Sequence, residues 1–300
     1  MAGTLWFPAS LPLATVLMHP GSGPSDRDND VFFPPIRGHL LARNVAVCSF
    51  DKRGVGGSSG RWTDAGIVDQ ADDALACLRA ARAELDRPIG LFGHSQGGWV
   101  VMEAASRSAD VAFAMTSSGP GVTPAEQERY AATAQLERSG ASADQMAAGM
   151  RHFDLLAQLA RDRVPFEEAR QRASDAETAG ELDSPFVPND EDVWNFICTG
   201  LDYDPRPALE RITVPVLALF GSDDPIVPVA ESVEVYRAAV PADLVRIEVF
   251  PPRSSFRPSV ATRPTPVDQL PSRSRRCETL PSTRSAIRGD ASTTWRNERS

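Results

Sequence analysis

One serine, Ser95, stands where the sequence predicts a nucleophile. It lies between Gly93 and Gly97 in a G-x-S-x-G pattern, after the apolar run 89–92 and before the helix-compatible run 99–105. A strand, a tight turn and a helix in that order hold a serine hydroxyl above the end of a sheet, and the glycines let the two backbones approach closely. Such a serine attacks the carbonyl carbon of an ester or amide. The alternative is a glycine-rich turn whose serine only caps a helix.

Acyl transfer by serine also needs hydrogen-bond donors for the oxyanion. The N–H of Gln96 is the first candidate, because a helix begins there and its dipole favours negative charge. The second candidate lies in the loop 19–24, which follows a predicted strand and contains Ser22 and Gly23. Glycines in such a loop let N–H groups turn toward an anion. The alternative is a tight turn at the end of a strand, without a role in chemistry.

The acid that orients the base is expected on a loop after a later strand. The segment 221–228 follows the apolar run 214–220 and contains two adjacent carboxylates, Asp223 and Asp224. Asp224 is the preferred acid and Asp223 the second choice. The alternative is a pair of aspartates that only cap a turn.

The elements that must position these residues alternate along the chain. The predicted strands are 14–18, 45–50, 89–92, 111–115, 214–220 and 245–250. Predicted helices are 34–43, a long helix capped by Thr63 or Asp64 and closed by Pro88, 99–105, 124–139, 142–162, 165–180 and 230–239. This alternation predicts an α/β fold, with a mostly parallel, doubly wound sheet and a helical cap inserted over about 122–207.

Composition excludes several classes of protein. The net charge is −9, which disfavours nucleic acid as a partner. No C-x-x-C pair occurs among Cys48, Cys77, Cys198 and Cys277, so neither a metal site nor a disulfide framework is expected. The sequence shows no signal peptide and no run of about 18 apolar residues, so we expect a cytoplasmic protein without a membrane partner. No cofactor is expected.

Residues 251–300 differ from the rest of the chain. Pro, Ser, Thr and Arg dominate, with ten arginines against four acidic residues, and no amphipathic period is visible. This composition predicts a disordered tail, separate from a domain over residues 1–250. An alternative function for the tail is a nucleic-acid-binding arm, but its arginines are scattered rather than clustered.

Three motifs together resemble the α/β-hydrolase family, in its cytoplasmic esterase and serine aminopeptidase-like branch, over about residues 3–250. Residues 19–24, followed by Asp26-Arg27-Asp28, are similar to the branch's H-G-S-G-P oxyanion loop, with an added proline. Residues 51–58 are similar to its structural D-x-R-G-x-G-x-S turn. Its acid motif G-x-x-D-x-x-V-P falls on Asp224. The resemblance implies a triad in the chain order serine, aspartate, histidine.

The histidine that this order requires is absent. The four histidines, His19, His39, His94 and His152, all precede Asp224. His94 is expected to point away from the serine beside it, and the other three belong to the oxyanion loop, a surface helix and the cap. We therefore hypothesise that the native reading frame is lost near Pro251. The other two frames of the DNA at that codon test this hypothesis.

The sequence thus predicts a serine hydrolase that cleaves a small ester, thioester or amide through an acyl–Ser95 intermediate. The alternative is a catalytically impaired homologue that lacks its histidine and at most binds a ligand. Phe153, Trp194 and Phe196 are candidates for lining an acyl pocket, although apolar residues there also serve packing between cap and core.

Overall fold

An eight-stranded sheet forms the centre of the fold in the computed structural model, which describes residues 1–29, 32–178 and 190–252 and the backbone of 292–296. The strands are β1 (Ala2–Trp6), β2 (Ala14–His19), β3 (Val45–Phe50), β4 (Ile89–His94), β5 (Ala114–Ser117), β6 (Val216–Gly221), β7 (Val245–Phe250) and β8 (Ser292–Arg296). Their spatial order is β7-β6-β5-β4-β2-β3-β1-β8.

Neighbouring strands from β7 to β3 in this order pair in parallel, whereas β1 is antiparallel to both β3 and β8. The carboxyl ends of β2, β4 and β6 therefore lie at the same edge of the sheet. The loops that follow these three strands carry the predicted oxyanion donors, nucleophile and acid, so the topology gathers them at one edge.

Helices cover both faces of the sheet. They are α1 (Phe33–Leu41), α2 (Ile67–Glu84), α3 (Gln96–Arg107), α4 (Pro124–Arg138), α5 (Ala143–Arg161), α6 (Phe166–Thr178), α7 (Glu191–Gly200), α8 (Arg206–Glu210) and α9 (Val229–Ala239). Apolar residues of α2, α3 and α9 share one core with the sheet, while Phe33 of α1 packs with Val16, Val47 and Phe92 on the opposite face. This arrangement confirms the doubly wound α/β fold.

Five helices, α4 to α8, lie between β5 and β6 in the described residues, and the first four of them share an apolar core of their own. Its buried members include Phe153, Leu156, Ala160 and Trp194. Capping boxes begin both α4 and α5, where Thr123 and Ser142 accept hydrogen bonds from the N–H groups three residues on. These helices occupy the predicted cap, and its boundaries at about 122 and 207 stay a prediction.

Some predicted elements differ from those observed. Thr63 and Asp64 lie in a short 3₁₀ turn, and α2 begins after Gly66, whose N–H donates to the Asp69 carboxylate at 3.0 Å. The sequence prediction also missed β1, α7 and α8. The short strand β8 lies within the predicted tail, whose residues 253–291 and 297–300 are outside the described residues.

Candidate active site

Ser95 joins β4 to α3 in a backbone conformation that side-chain-bearing residues rarely adopt. Its φ is 52° and its ψ is −123°. Its N–H donates to the Ser117 carbonyl at 2.9 Å, and its carbonyl accepts from the Gly98 N–H at 2.7 Å. Such conformations persist only where the surrounding structure imposes them, and they cluster at functional sites.

The glycines beside Ser95 permit this close packing. A Cβ on Gly97 would lie 2.5 Å from the His19 carbonyl oxygen and 2.7 Å from that of Pro20. A Cβ on Gly93 would collide with the Gly97 carbonyl. These obstacles are backbone atoms that cannot rotate away, so the start of α3 lies directly against the loop that follows β2.

The loop after β2 is held in place by hydrogen bonds to the turn after β3. The Arg27 guanidinium binds both carboxylate oxygens of Asp51, at 2.9 Å and 2.5 Å, and the Gly57 N–H donates to the same carboxylate at 2.7 Å. Burial raises the pKa of Asp51, but these hydrogen bonds outweigh it and lower the pKa overall. Arg27, which follows the oxyanion loop, is thus paired with Asp51 in the turn after β3.

The loop after β2 lies against the turn around Ser95, residues 93–97, which is called the elbow below. A Cβ on Gly21 would lie 3.3 Å from the Ser95 Cβ. Ser22 and Gly23 line a cavity of about 420 Å³ together with Gln96, and Gly23 has a φ of +84°. The structure therefore brings all three predicted oxyanion residues to one cavity, while Ser95 lines a neighbouring cavity that shares Ser22 with it.

The cavity lies between the sheet edge and the cap. Its cap wall includes Phe153, Trp194 and Phe196, the three residues suggested for an acyl pocket. Trp62 closes another side, with its ring centroid 5.1 Å from that of Phe196. Glu128 adds a carboxylate to this mainly apolar lining. The Glu128 side chain is exposed to solvent but closely surrounded by protein atoms; this desolvation raises the pKa of its carboxyl, and a hydrogen bond from Gln127 opposes the shift.

The two candidate acids differ in their surroundings. Asp224 is half-buried, and its Oδ1 accepts hydrogen bonds from the N–H groups of Ile226 and Val227 at 2.9 Å and 3.0 Å. The Tyr130 hydroxyl donates to its carbonyl at 3.1 Å. Asp223 is exposed and bonds only to the neighbouring Ser222 hydroxyl within the described residues. The geometry therefore favours Asp224.

A family model for the alpha/beta hydrolase fold matches residues 15–252. The chain belongs to the α/β-hydrolase fold family. The match spans the elbow, the loop after β2 and the loop after β6, and it ends where the composition changes.

Solved structures share this hydrolase fold at low sequence identity. Proline iminopeptidase from Mycobacterium smegmatis is 17% identical, with a TM-score of 0.52 over 83% of this chain and 86% of that chain. A lipase-esterase related protein from Clostridium acetobutylicum is also 17% identical, with a TM-score of 0.51 over 82% of this chain and 89% of the other. An esterase from Pyrococcus furiosus matches with the same identity and a TM-score of 0.51, over 80% and 74%. The sequence has no match among curated proteins.

The histidines of this α/β-hydrolase occupy four different environments. His19 is fully buried, and burial lowers its pKa to about 3, so it is neutral. His39 lies exposed on α1 beside Arg43, and His152 is buried in α5. None of these three is among the residues that line the cavity of about 610 Å³ that Ser95 lines.

His94 precedes Ser95 at the end of β4. Its side chain and Ser95 line the same open cavity of about 610 Å³, where its ring packs on Phe32 with centroids 4.4 Å apart. Burial lowers the pKa of His94, while a hydrogen bond to the Ser117 carbonyl and the negative charge of Asp224 oppose that shift. Asp224, the predicted acid, is thus one of the charges that influence the pKa of His94.

Within the described residues of this hydrolase, no helix is long and apolar enough to span a membrane. Over the same residues, no group of three or more His, Cys, Asp or Glu side chains is placed to hold a metal ion.

Proposed function

We propose that this protein is a serine hydrolase that cleaves a small ester, thioester or amide. Ser95 is the nucleophile, the N–H groups of Gln96 and of Ser22 or Gly23 bind the oxyanion, and Asp224 is the acid. The observation that carries this proposal is the strained backbone of Ser95 at the start of α3, facing the loop after β2. A serine that only capped α3 would not need that strain.

The proposed reaction has two acyl transfers. The Ser95 oxygen attacks the substrate carbonyl as its proton leaves to a base, and the carbonyl oxygen becomes an oxyanion facing the helix N-terminus. Collapse of this intermediate expels the alcohol, thiol or amine, which takes up a proton, and leaves the acyl–Ser95 ester. Water then attacks that ester by the same route, releasing the carboxylic acid and restoring the serine.

The cavity favours a small, mainly apolar acyl group. Its volume of about 420 Å³ lies near the lower end of small-molecule sites, and its walls are mostly aromatic and aliphatic. The named activities of the structural neighbours, an iminopeptidase and esterases, cover amide and ester substrates. We therefore propose the same range for this chain.

A second candidate is an impaired homologue of such an enzyme. It is favoured by the sequence, which has no histidine after His152 to act as the base beyond Asp224. Removal of a triad member costs about 10⁴–10⁶ in turnover, while the oxyanion donors keep a residual rate. Under this candidate the chain retains the nucleophile and the donors but transfers protons slowly.

Imidazole added to the assay separates the two candidates. The cavity that Ser95 and His94 line is open and large enough to admit it. We expect a fluorophosphonate probe to label Ser95, and Ser95→Ala to abolish the labelling. Labelling and rapid p-nitrophenyl acetate turnover without imidazole support the active enzyme, whereas a strong dependence on imidazole supports the impaired homologue. No labelling of Ser95 under either condition refutes both.

A further inference from the structure

Lys52 is the only lysine of the chain, which otherwise uses arginine wherever lysine or arginine occurs. It follows β3, and its side chain runs under the loop after β2 with only 4% of the residue exposed. Its Nζ donates to the Gly21 carbonyl at 2.5 Å and lies 3.4 Å from the Gln96 Oε1. One ammonium group therefore contacts both the oxyanion loop and the first residue of α3.

No carboxylate among the described residues pairs with this ammonium. The charged neighbours of Lys52 in the chain are paired elsewhere, Asp51 with Arg27 and Arg53 with Asp73. An ammonium buried among neutral oxygens costs several kcal/mol, and a methionine of similar size would fill the same space without that cost. Packing alone therefore does not explain a lysine at this position.

The contact between Lys52 and the Gly21 carbonyl also sets the direction of the next N–H group, that of Ser22. The C=O of Gly21 and the N–H of Ser22 belong to one peptide unit, and all described peptide bonds are trans. In a trans unit these two groups point in opposite directions. An ammonium that holds the Gly21 carbonyl on the buried side thus turns the Ser22 N–H toward the opposite side, where Ser22 lines the cavity with Gln96.

We propose that Lys52 is a positioning residue that fixes the Gly21–Ser22 peptide so that the Ser22 N–H faces the same oxyanion as the Gln96 N–H at the start of α3. This inference rests on the proposed function of Ser95. The positive charge beneath the loop further favours negative charge on the cavity side.

Because only the charged form of Lys52 positions the Gly21–Ser22 peptide in this way, the effect depends on pH. Burial lowers the pKa of Lys52 to about 7. The groups around it are the neutral His19 from β2, Gln96 from α3 and the two ion pairs Asp51–Arg27 and Arg53–Asp73. Since the charged form is lost as the pH rises, the contribution of Lys52 is largest below pH 7 and declines above it.

Lys52→Met tests the proposal against a matched control, Arg53→Met, which removes a charge from the next residue without touching the loop. We expect Lys52→Met to slow fluorophosphonate labelling of Ser95 by about 10- to 100-fold, because a lost oxyanion donor costs about 10²–10³ in rate. Its melting temperature should be unchanged or raised, because an unpaired buried charge is gone. Arg53→Met should show the reverse pattern, with lower stability and unchanged labelling.

Lys52→Arg keeps the charge and should recover part of the rate if the guanidinium fits. The single lysine gives one Nζ signal in a lysine-labelled sample, so its titration is measured directly by NMR. The ratio of the Ser95 labelling rate in the wild-type chain to that in Lys52→Met should fall as Lys52 loses its proton with rising pH. The rate in Lys52→Met itself should lack this decline.

The outcomes distinguish the positioning role of Lys52 from the nucleophilic role of Ser95. Normal labelling in Lys52→Met refutes the positioning role and leaves the nucleophile intact. A wild-type chain whose Ser95 never labels refutes the proposed function instead. In that case the crystal structure of Lys52→Met decides: a rotated Gly21–Ser22 peptide supports the positioning role, and an unchanged one overturns it.

Discussion

The strain at Ser95 should be measurable as a reversal in the usual order of alanine and glycine. Its φ of 52° and ψ of −123° cost a residue with a Cβ about 1–3 kcal/mol, whereas glycine adopts them freely. Glycine loses about 0.5–1 kcal/mol through its greater freedom in the unfolded chain. Ser95→Gly should therefore be up to about 2.5 kcal/mol more stable than Ser95→Ala, although neither variant has a hydroxyl.

Urea unfolding of the two variants, followed by circular dichroism, gives this difference directly. It corresponds to a melting temperature up to about 10 °C higher for the glycine variant. Ser106, in the same helix α3, provides the control, because its backbone is helical and glycine there should be about 1 kcal/mol less stable than alanine. If glycine is also the less stable residue at Ser95, the strain is not imposed by the fold and the argument for a nucleophile elbow loses its main support.

Three further predictions concern packing, charge and the cavity. Gly97→Ala should lower stability by about 1–3 kcal/mol and slow labelling of Ser95, whereas Gly38→Ala, with open space around it, should be neutral or stabilising in the same thermal melts. Asp51→Asn should cost about 3 kcal/mol at pH 7, because it leaves Arg27 unpaired. The pKa of Asp51 is lowered in the folded state, so the stabilisation by the Asp51–Arg27 pair should be present above about pH 4 and lost as the pH falls through that folded-state pKa. Urea unfolding of the wild type and Asp51→Asn across pH measures this loss. A stability difference that does not change with pH would contradict the ion pair as its source. Glu128→Leu should raise kcat/KM for p-nitrophenyl butyrate by about 3- to 10-fold, because an apolar acyl chain then meets no carboxylate in the cavity; an unchanged value would exclude this cavity as the acyl site.

The sequence predicted the elements around the candidate site because their signals are local. The runs 45–50 and 245–250 are strands with the predicted bounds, and Gly93 and Gly97 are where the backbones of β4 and α3 need them. A buried strand needs an apolar run, and a close approach of two backbones needs a glycine. Both requirements can be recognised without knowledge of the tertiary structure.

What the sequence did not reveal depends on contacts between distant segments. Lys52 looked like part of a structural turn, and its role depends on the loop 31 residues earlier and on Gln96, 44 residues later. The effect of Asp224 on the pKa of His94 likewise joins distant segments, because the pairing of β4, β5 and β6 brings the ends of these strands to one edge of the sheet. The helix α7 was missed because its short polar and aromatic sequence gains stability from the cap core, where Trp194 is buried.

Mass spectrometry of the intact chain after fluorophosphonate treatment, with and without added imidazole, tests the central claim most directly. We predict a single adduct that maps to Ser95, that forms without added imidazole and that is absent from Ser95→Ala and from the heat-unfolded chain. An unmodified Ser95 under both conditions, or an adduct on another residue while Ser95 stays free, would contradict the assignment of Ser95 as the nucleophile.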